Sequence, residues 1–340
     1  MKNYILLLLL TLLLISCGKN KFKRSDFLQD FYTQKIWPDL LDTESKIEQL
    51  KTVYATFKAD PSAAKLEDFR AGFKTTLTSF EKISFYNLGD ISAISVYNAA
   101  YKTSIDTSVI WDHYAATNSF SADLVATYGN KQKGIYTLEY LLFFEDASDS
   151  LSSSKYQSFI DAHLQTLHDN FLLIKNSWDT YETNFVSQED EGVEGSYNIV
   201  INRIVHLLED LIDKRINVPL DAADAKMAVG YWSVSAWSNI KTQVSQLNAI
   251  YNGNGTESFN SVFNSVRKKN KKLAEEIQQK FETLIEMGNA MTADMQYYVT
   301  TGSSELVQYK ERLKELLVLF KLDVVEELDI VLTFGDNDGD

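Results

Sequence analysis

Hydrophobic residues recur at every third or fourth position through much of the chain. Three stripes are the clearest, and each spans several helical turns. They comprise Tyr156, Phe159, Ile160, His163, Leu164, Leu167, Phe171, Ile174 and Trp178; Phe259, Val262, Phe263, Val266, Leu273, Ile277, Phe281 and Leu284; and Leu306, Tyr309, Leu313, Leu316, Leu317 and Phe320. Strand-like alternation is scarce, and Asp329 to Phe334 is its best example. The pattern predicts an all-α fold.

Helix breakers divide this pattern. Residues 60–62 (DPS) end one helix and cap the next. The preferred domain boundary is 187–196 (SQEDEGVEGS), which has no apolar period and separates two halves of similar size. Each half holds about four long helical segments, the number found in an antiparallel bundle. We therefore predict two antiparallel helical bundles packed side by side, over 25–187 and 188–340, which a duplication could explain. Residues 86–133 are the least regular stretch.

The N-terminus has the features of an exported lipoprotein. Lys2 precedes an apolar run from Ile5 to Ile15, which is too short to cross a hydrocarbon core of about 30 Å. The tetrapeptide LISC that ends at Cys17 matches a lipobox, in which the cysteine thiol is acylated. We predict a signal peptide over 1–16, lipidation of Cys17, a polar tether over 17–24, and a mature domain anchored at the membrane of the cell envelope, in the periplasm or at the cell surface.

The amino-acid composition excludes or disfavours several classes of function. Acidic residues outnumber lysine and arginine by 47 to 33, and the resulting net charge of −14 disfavours binding to nucleic acid. Cys17 is the only cysteine, which excludes an intrachain disulfide, a cysteine nucleophile and a cysteine-rich metal site. The fold must therefore depend on its hydrophobic core.

Residues 134–144 (GIYTLEYLLFF) are the most informative segment. As a helix they are apolar or aromatic on nearly every side, and Glu139 is their only ionisable residue besides tyrosine. A buried carboxylate is costly unless it is paired, metal-bound or protonated, so Glu139 should have a partner or a raised pKa. Tyr136, one turn earlier, is a candidate partner. The arrangement fits a ligand-binding or catalytic site, and equally a structural hydrogen bond that fixes the helix register.

The same segment carries a family resemblance. GIYTLEYLL, which begins at Gly134, resembles the GxHxxE-[YF]-L-L signature of the imelysin-like family, also called the M75 peptidase family. Residues 211–220 (LIDKRINVPL), the helix that ends AIYNG at 249–253, and the tail 332–340 (LTFGDNDGD) resemble further segments of that family in the same order. The resemblance extends over essentially the whole mature chain.

The resemblance implies two helical bundles with the signature near their interface, in an envelope lipoprotein associated with bacterial iron uptake. Gly134 and Glu139 match the signature directly, whereas Tyr136 stands where the family has histidine. A phenol with a pKa of about 10 must lose its proton before it binds metal, although ferric iron accepts tyrosinate readily. The replacement favours an Fe(III)-type site or a non-metal site. Glu81, in the segment FEKISF, matches an acidic family position, so these four residues are the candidate ligand-binding set.

A second H-x-x-E pair, His206 and Glu209, lies in the other half. It fits either a compensating metal site or an ion pair on a helix surface. His163 lies within an apolar stripe, which is typical of a hydrogen-bonded core residue. The leading hypothesis is a lipoprotein that binds iron, another transition-metal ion or a small ligand, with Glu139 and Tyr136 in the site. The alternatives are a metal-dependent peptidase that uses Glu139, and a structural lipoprotein without a ligand site.

Overall fold

The computed structural model describes residues 22–93, 95–145, 147–253 and 260–333. The predicted signal peptide, the lipidation site Cys17, most of the tether and the acidic tail after Thr333 lie outside the described residues. Those described form helices and no strands, which confirms the predicted all-α fold. None of the helices in these ranges is long and apolar enough to span a bilayer.

The first half combines three long helices with several short ones. A π-helical turn over Tyr32–Ile36 joins its first two helices, and single 3-10 turns occur at Ser84–Tyr86 and Asn130–Gln132. In chain order the helices are α1 (Arg24–Phe31), α2 (Trp37–Ala59), α3 (Ala63–Ile83), α4 (Asp90–Ala93), α5 (Val96–Ala100), α6 (Thr107–Ala116), α7 (Ala122–Ala126), α8 (Ile135–Phe143), α9 (Ala147–Ser150) and α10 (Ser154–Ser187).

In the second half, π-helical turns extend two of the helices, over Leu211–Asn217 and Leu319–Val324, and a 3-10 turn lies at Ala225–Met227. The helices continue as α11 (Ser196–Asp210), α12 (Val218–Asp221), α13 (Ala236–Asn252), α14 (Val262–Lys269), α15 (Lys271–Ala290), α16 (Met295–Thr300), α17 (Ser304–Val318) and α18 (Val325–Glu327). The segment predicted as a boundary links α10 to α11, while the division into two domains remains a prediction.

The apolar stripes predict the long helices correctly. All nine residues of the first stripe are buried on α10, whose N-cap Ser153 accepts a hydrogen bond from the amide of Tyr156. Phe259 of the second stripe lies outside the described residues. The rest of that stripe is divided between α14 and α15, because the side chain of Asn270 caps a new helix by accepting from the amide of Leu273 at 3.1 Å. The irregular stretch 86–133 contains only short helices, as its pattern suggests.

Helices of the two halves pack directly on one another. Helix α2 lies against α3 and α10, and α3 in turn contacts α13, which packs on α15. One contiguous cluster of buried apolar side chains runs from Phe27 to Ile330 and includes both halves. We call this contact between the two halves the seam. Because α3 and α13 both have polar residues there, buried polar groups meet at the seam.

The strand-like alternation near the C-terminus does not form a strand in the described residues 329–333. The amide and carbonyl of Val331 pair instead with the side-chain amide of Asn198, at 2.8 and 3.0 Å. Asn202, one turn further along α11, donates to the same carbonyl at 2.9 Å and accepts from the amide of Thr333 at 2.8 Å. No strand forms in these described residues because two asparagines on a helix satisfy their backbone.

Candidate functional site

The signature helix α8 begins at Gly134, and its conformation requires glycine. Its φ of +90° is a region that side chains disfavour, and a Cβ there would lie 2.7 Å from the carbonyl oxygen of Ala100. All residues from Ile135 to Leu142 are buried, as predicted from the apolar pattern. Gly134 therefore lets α8 start against α5 and lie inside the molecule.

A carboxylate from α3 is the centre of a buried polar cluster at the seam. Glu81 is 1% exposed, and its Oε2 accepts from the Tyr101 hydroxyl at 2.7 Å and from Gln243 Nε2 at 2.8 Å. The Tyr136 hydroxyl donates to Oε1 of the same carboxylate. Arg215 Nη2 lies 3.4 Å from Oε2 and forms a buried ion pair with it. Four side chains from both halves thus converge on Glu81.

Arg215 binds the two phenols as well as the carboxylate. Its Nη2 donates to the Tyr101 oxygen at 2.6 Å and its Nη1 to the Tyr136 oxygen at 3.2 Å. Burial alone would lower the pKa of Arg215, but the charge of Glu81 and the other neighbours raises that pKa well above its usual value. Burial raises the pKa values of both tyrosines. At neutral pH the cluster therefore holds a charged guanidinium and two neutral phenols around the carboxyl group of Glu81.

Glu139 lies beside this cluster but has a different partner. It is 1% exposed, and its Oε1 accepts from the amide of Ser233 at 2.9 Å and from the Ser233 hydroxyl at 2.6 Å. Burial raises the pKa of Glu139 to about 7, although the Ser233 hydrogen bonds oppose the rise. The expected raised pKa is confirmed. Tyr136 as the partner is wrong, because its hydroxyl is directed to Glu81 instead.

The loop that covers Glu139 has an unusual backbone. Gly230 has a φ of +90°, and the amide of Ser235 donates back to its carbonyl at 2.8 Å, which closes the loop. Val234 adopts a φ of +58° although its side chain is β-branched and 59% exposed. Such residues are strained in the left-handed region. The strained backbone of this loop places Ser233 in contact with the carboxylate of Glu139.

A cavity of about 430 Å³ opens directly above the Glu81 cluster. Tyr101, Arg215 and Gln243 belong both to the cluster and to the cavity wall. Most of the remaining wall comes from residues 84–103 of the first half and from α11 of the second, including Arg203 and Asp210, and Val193, Lys214 and Thr333 complete it. The cavity at the seam is therefore open and polar, and the guanidinium of Arg215 forms part of its wall.

The candidate histidines divide between surface and core. His206 Nδ1 lies 3.6 Å from Glu209 Oε2, and Glu209 also contacts Lys321, so the second H-x-x-E is a partly buried contact on a helix, which is an ion pair when His206 is protonated. His206 also lines the cavity. His163 is buried as predicted, but neither ring nitrogen has a hydrogen-bond partner among the described residues. Burial, with a contribution from His113, lowers the pKa of His163 to about 3.

The sequence pattern missed Arg215, Tyr101, Gln243 and Ser233. Arg215 had a signal, because it follows Leu211 and Ile212 by four and three residues and so lies on an apolar helix face. This signal is weaker than the one for Glu139, because Asp213 and Lys214 are charged neighbours of Arg215 in the sequence. Tyr101 and Ser233 lie in irregular segments, where periodicity gives no information about direction.

The comparison with protein families agrees with this architecture. A family model described as Imelysin, of the M75 peptidases, matches residues 37–319. The chain belongs to the imelysin family. No curated protein sequence matches the chain.

Two solved structures share the imelysin fold of this chain. A putative iron-regulated protein A precursor from Parabacteroides distasonis ATCC 8503 superimposes with a TM-score of 0.75 at 13% identity, over 89% of this chain and 95% of that one. An imelysin-like protein from Psychrobacter arcticum 273-4 gives a TM-score of 0.74 at 14% identity, over 92% and 97% of the two chains. At these identities the likeness concerns the fold.

Proposed function

We propose that this imelysin-family protein is lipid-anchored in the cell envelope and binds a small polar ligand in the cavity, as part of iron uptake. The observation that carries the proposal is the junction of an open cavity with a buried charged cluster, which share Tyr101, Arg215 and Gln243. Small-molecule sites are usually cavities of roughly 300–1,000 Å³ with a few convergent polar groups. The cavity of about 430 Å³ falls within that range.

The energetics of the cluster support a role in binding. Replacement of a buried ion pair by apolar residues is often neutral or stabilising, so Arg215 and Glu81 are a poor choice for stability alone. Their network leaves Arg215 only 3% exposed and fixed by three hydrogen bonds to Glu81, Tyr101 and Tyr136. A guanidinium held in this way loses little entropy when a ligand binds, which is the benefit of preorganisation.

The envelope location is supported by the lipobox that ends at Cys17, and the iron-uptake role by the fold shared with a protein named as iron-regulated. Exchange of Cys17 for serine tests the anchor, since it removes the thiol that is acylated. The variant should leave the membrane fraction after cell lysis, whereas the wild-type chain stays in it. Retention of the serine variant would contradict the proposed anchor.

A metal ion is the second candidate, because three oxygen ligands converge. The carboxylate of Glu81 is hydrogen-bonded to the phenol oxygens of both Tyr101 and Tyr136, and hard cations such as Fe(III) prefer oxygen ligands. Two features oppose this candidate. Burial raises the pKa values of both phenols, and the charge of Arg215 lies among the ligands. Within the described ranges, no three His, Cys, Asp or Glu residues could together hold a metal.

Native mass spectrometry and metal analysis of the detergent-solubilised full chain distinguish these candidates. Asn98 is exposed on α5 and lines the cavity, so the larger side chain of Asn98→Trp should block the opening of the cavity. Asn176→Trp makes the same change on the exposed surface of α10 and is the matched control. After incubation with a low-molecular-weight extract of the growth medium, the wild type and the control should carry a bound small molecule that Asn98→Trp lacks.

Other outcomes would change the conclusion. Equal loading of all three proteins, or none in any of them, would contradict binding in the cavity. A metal ion that Asn98→Trp retains and Glu81→Gln loses would favour the second candidate. Peptide cleavage that disappears in Glu139→Ala would instead support the metal-dependent peptidase.

A further inference from the structure

The cavity has a local charge opposite to that of the whole protein. The chain has a net charge of −14, yet the cavity is lined by three basic side chains, Arg203, Lys214 and Arg215, and one acidic side chain, Asp210. With Glu81, which pairs with Arg215 behind the wall, the basic groups still outnumber the acidic ones by three to two. Asp210 is shared, since it lies 3.2 Å from Lys214 and 3.6 Å from Arg215. A cleft lined by one sign of charge concentrates ions of the other sign. The wall therefore favours an anion.

Arg203 adds a positive charge that is held by neutral groups. Its Nε donates to the carbonyl of Phe85 at 3.1 Å and its Nη2 to the carbonyl of Ser84 at 2.7 Å. Burial lowers the pKa of Arg203, and the more distant charge of Asp210 opposes this only in part. Two backbone carbonyls fix the guanidinium in place without cancelling its charge. An anionic ligand in the cavity would supply the counter-charge.

Gln243 provides an acceptor that has no partner. Its Nε2 is oriented by donating to Glu81 at 2.8 Å, which leaves Oε1 buried and without a hydrogen-bond donor among the described residues. A buried acceptor without a donor carries a free-energy cost. Gln243 is 1% exposed and lines the cavity, so a shift of its side chain toward the cavity would let a donor on a bound ligand satisfy Oε1.

We propose that the cavity binds a small oxyanion that also carries a hydroxyl or amino group. Arg203 and Arg215 would neutralise the anionic oxygens, and the hydroxyl or amino group would donate to Gln243 Oε1. This inference rests on the proposed function and names the chemical class of its ligand. Carboxylates and phosphates share the oxyanion chemistry, whereas neutral polyols and organic cations lack it.

Calorimetric titration of the solubilised full chain with matched probes tests this class. Malate and succinate differ by one hydroxyl, glycerol 3-phosphate supplies the phosphate form, and glycerol is the neutral control. Malate should bind about tenfold more tightly than succinate, which reflects one added hydrogen bond. Glycerol should give no measurable binding. Arg203→Met should weaken malate at least about tenfold, and Arg203→Lys should restore most of it because the charge is retained.

Asn98→Trp, which retains both arginines, should abolish binding of malate and glycerol 3-phosphate, and Asn176→Trp should leave both unchanged. If glycerol or succinate binds with the same affinity as malate, the proposed ligand class is wrong, although the cavity is still a binding site. If no probe binds and the small molecule sought by mass spectrometry is also absent, the proposed function fails together with the inference. If that molecule is present but is neutral or cationic, only the inference fails.

Discussion

Replacement of Glu139 by glutamine should stabilise the protein at alkaline pH. Glu139 is buried, and burial raises its pKa from 4.5 to about 7 in the folded chain. Each tenfold change in proton affinity corresponds to about 1.36 kcal/mol, so this rise amounts to roughly 3 kcal/mol. The unfolded chain releases the proton near pH 4.5 and the folded chain only near pH 7. Stability is therefore lost as the pH rises between these values.

Glutamine keeps the shape and the acceptor oxygen that Ser233 contacts, but it never carries the charge. The Glu139→Gln variant should therefore equal the wild type near pH 4.5 and exceed it by roughly 3 kcal/mol at pH 8.5. Urea unfolding of both proteins at a series of pH values, followed by circular dichroism, measures the difference. Glu276→Gln, on an exposed position of α15, is the matched control and should change stability by less than about 0.5 kcal/mol.

A Glu139→Gln variant that is less stable than the wild type at pH 8.5 would refute this reasoning. That result would mean that the ionised carboxylate of Glu139 is stabilised by its surroundings more than burial destabilises it. A difference that does not change with pH would likewise show that the proton is not involved.

Three further predictions concern the seam and the core. Arg215→Met should lower the free energy of unfolding in urea at pH 7 by about 3–5 kcal/mol, because Glu81 loses its counter-charge. Adding Glu81→Gln should restore part of the lost stability. No recovery in the double variant would contradict the pairing. Gly134→Ala should lower the stability by at least about 1 kcal/mol more than Gly302→Ala, since both have positive φ but only Gly134 faces a backbone oxygen. Equal losses would exclude the steric contact. The pKa of His163 falls from 6.5 to about 3 on folding, so the wild type should be about 2 kcal/mol less stable at pH 5 than at pH 7 because of this residue. His163→Leu should remove this loss of stability in acid. A pH profile that the substitution leaves unchanged would contradict the prediction.

The helices were predictable because their stripes are long and their burial is one-sided. The stripe on α10 alone spans more than five turns, and no other structure places those residues on one face. The turns over Leu211–Asn217 and Leu319–Val324 were not predictable, because a π-helical turn inserts a residue without changing the residue types that a helix prefers. The alternation near Val331 forms no strand in the described residues because its backbone pairs with side chains from α11.

The candidate site was predictable only in part. A lone charge in an apolar helix predicts burial, which holds for Glu139. Arg215 is buried as well, but its charged neighbours Asp213 and Lys214 conceal this in the sequence. The partners are separated by long stretches of chain: Ser233 follows Glu139 by 94 residues, and Arg215 follows Glu81 by 134. Helical periodicity fixes which face a residue occupies, but it does not state which distant segment covers that face.

A crystal structure of the full chain, purified from the cells that naturally produce it, tests the central claim most directly. We expect electron density for a small polar molecule in the cavity, in contact with Arg215 and Gln243. Density for ordered water alone, with the cluster unchanged and no response of the cavity to added oxyanions, would contradict the proposal that this seam is a binding site.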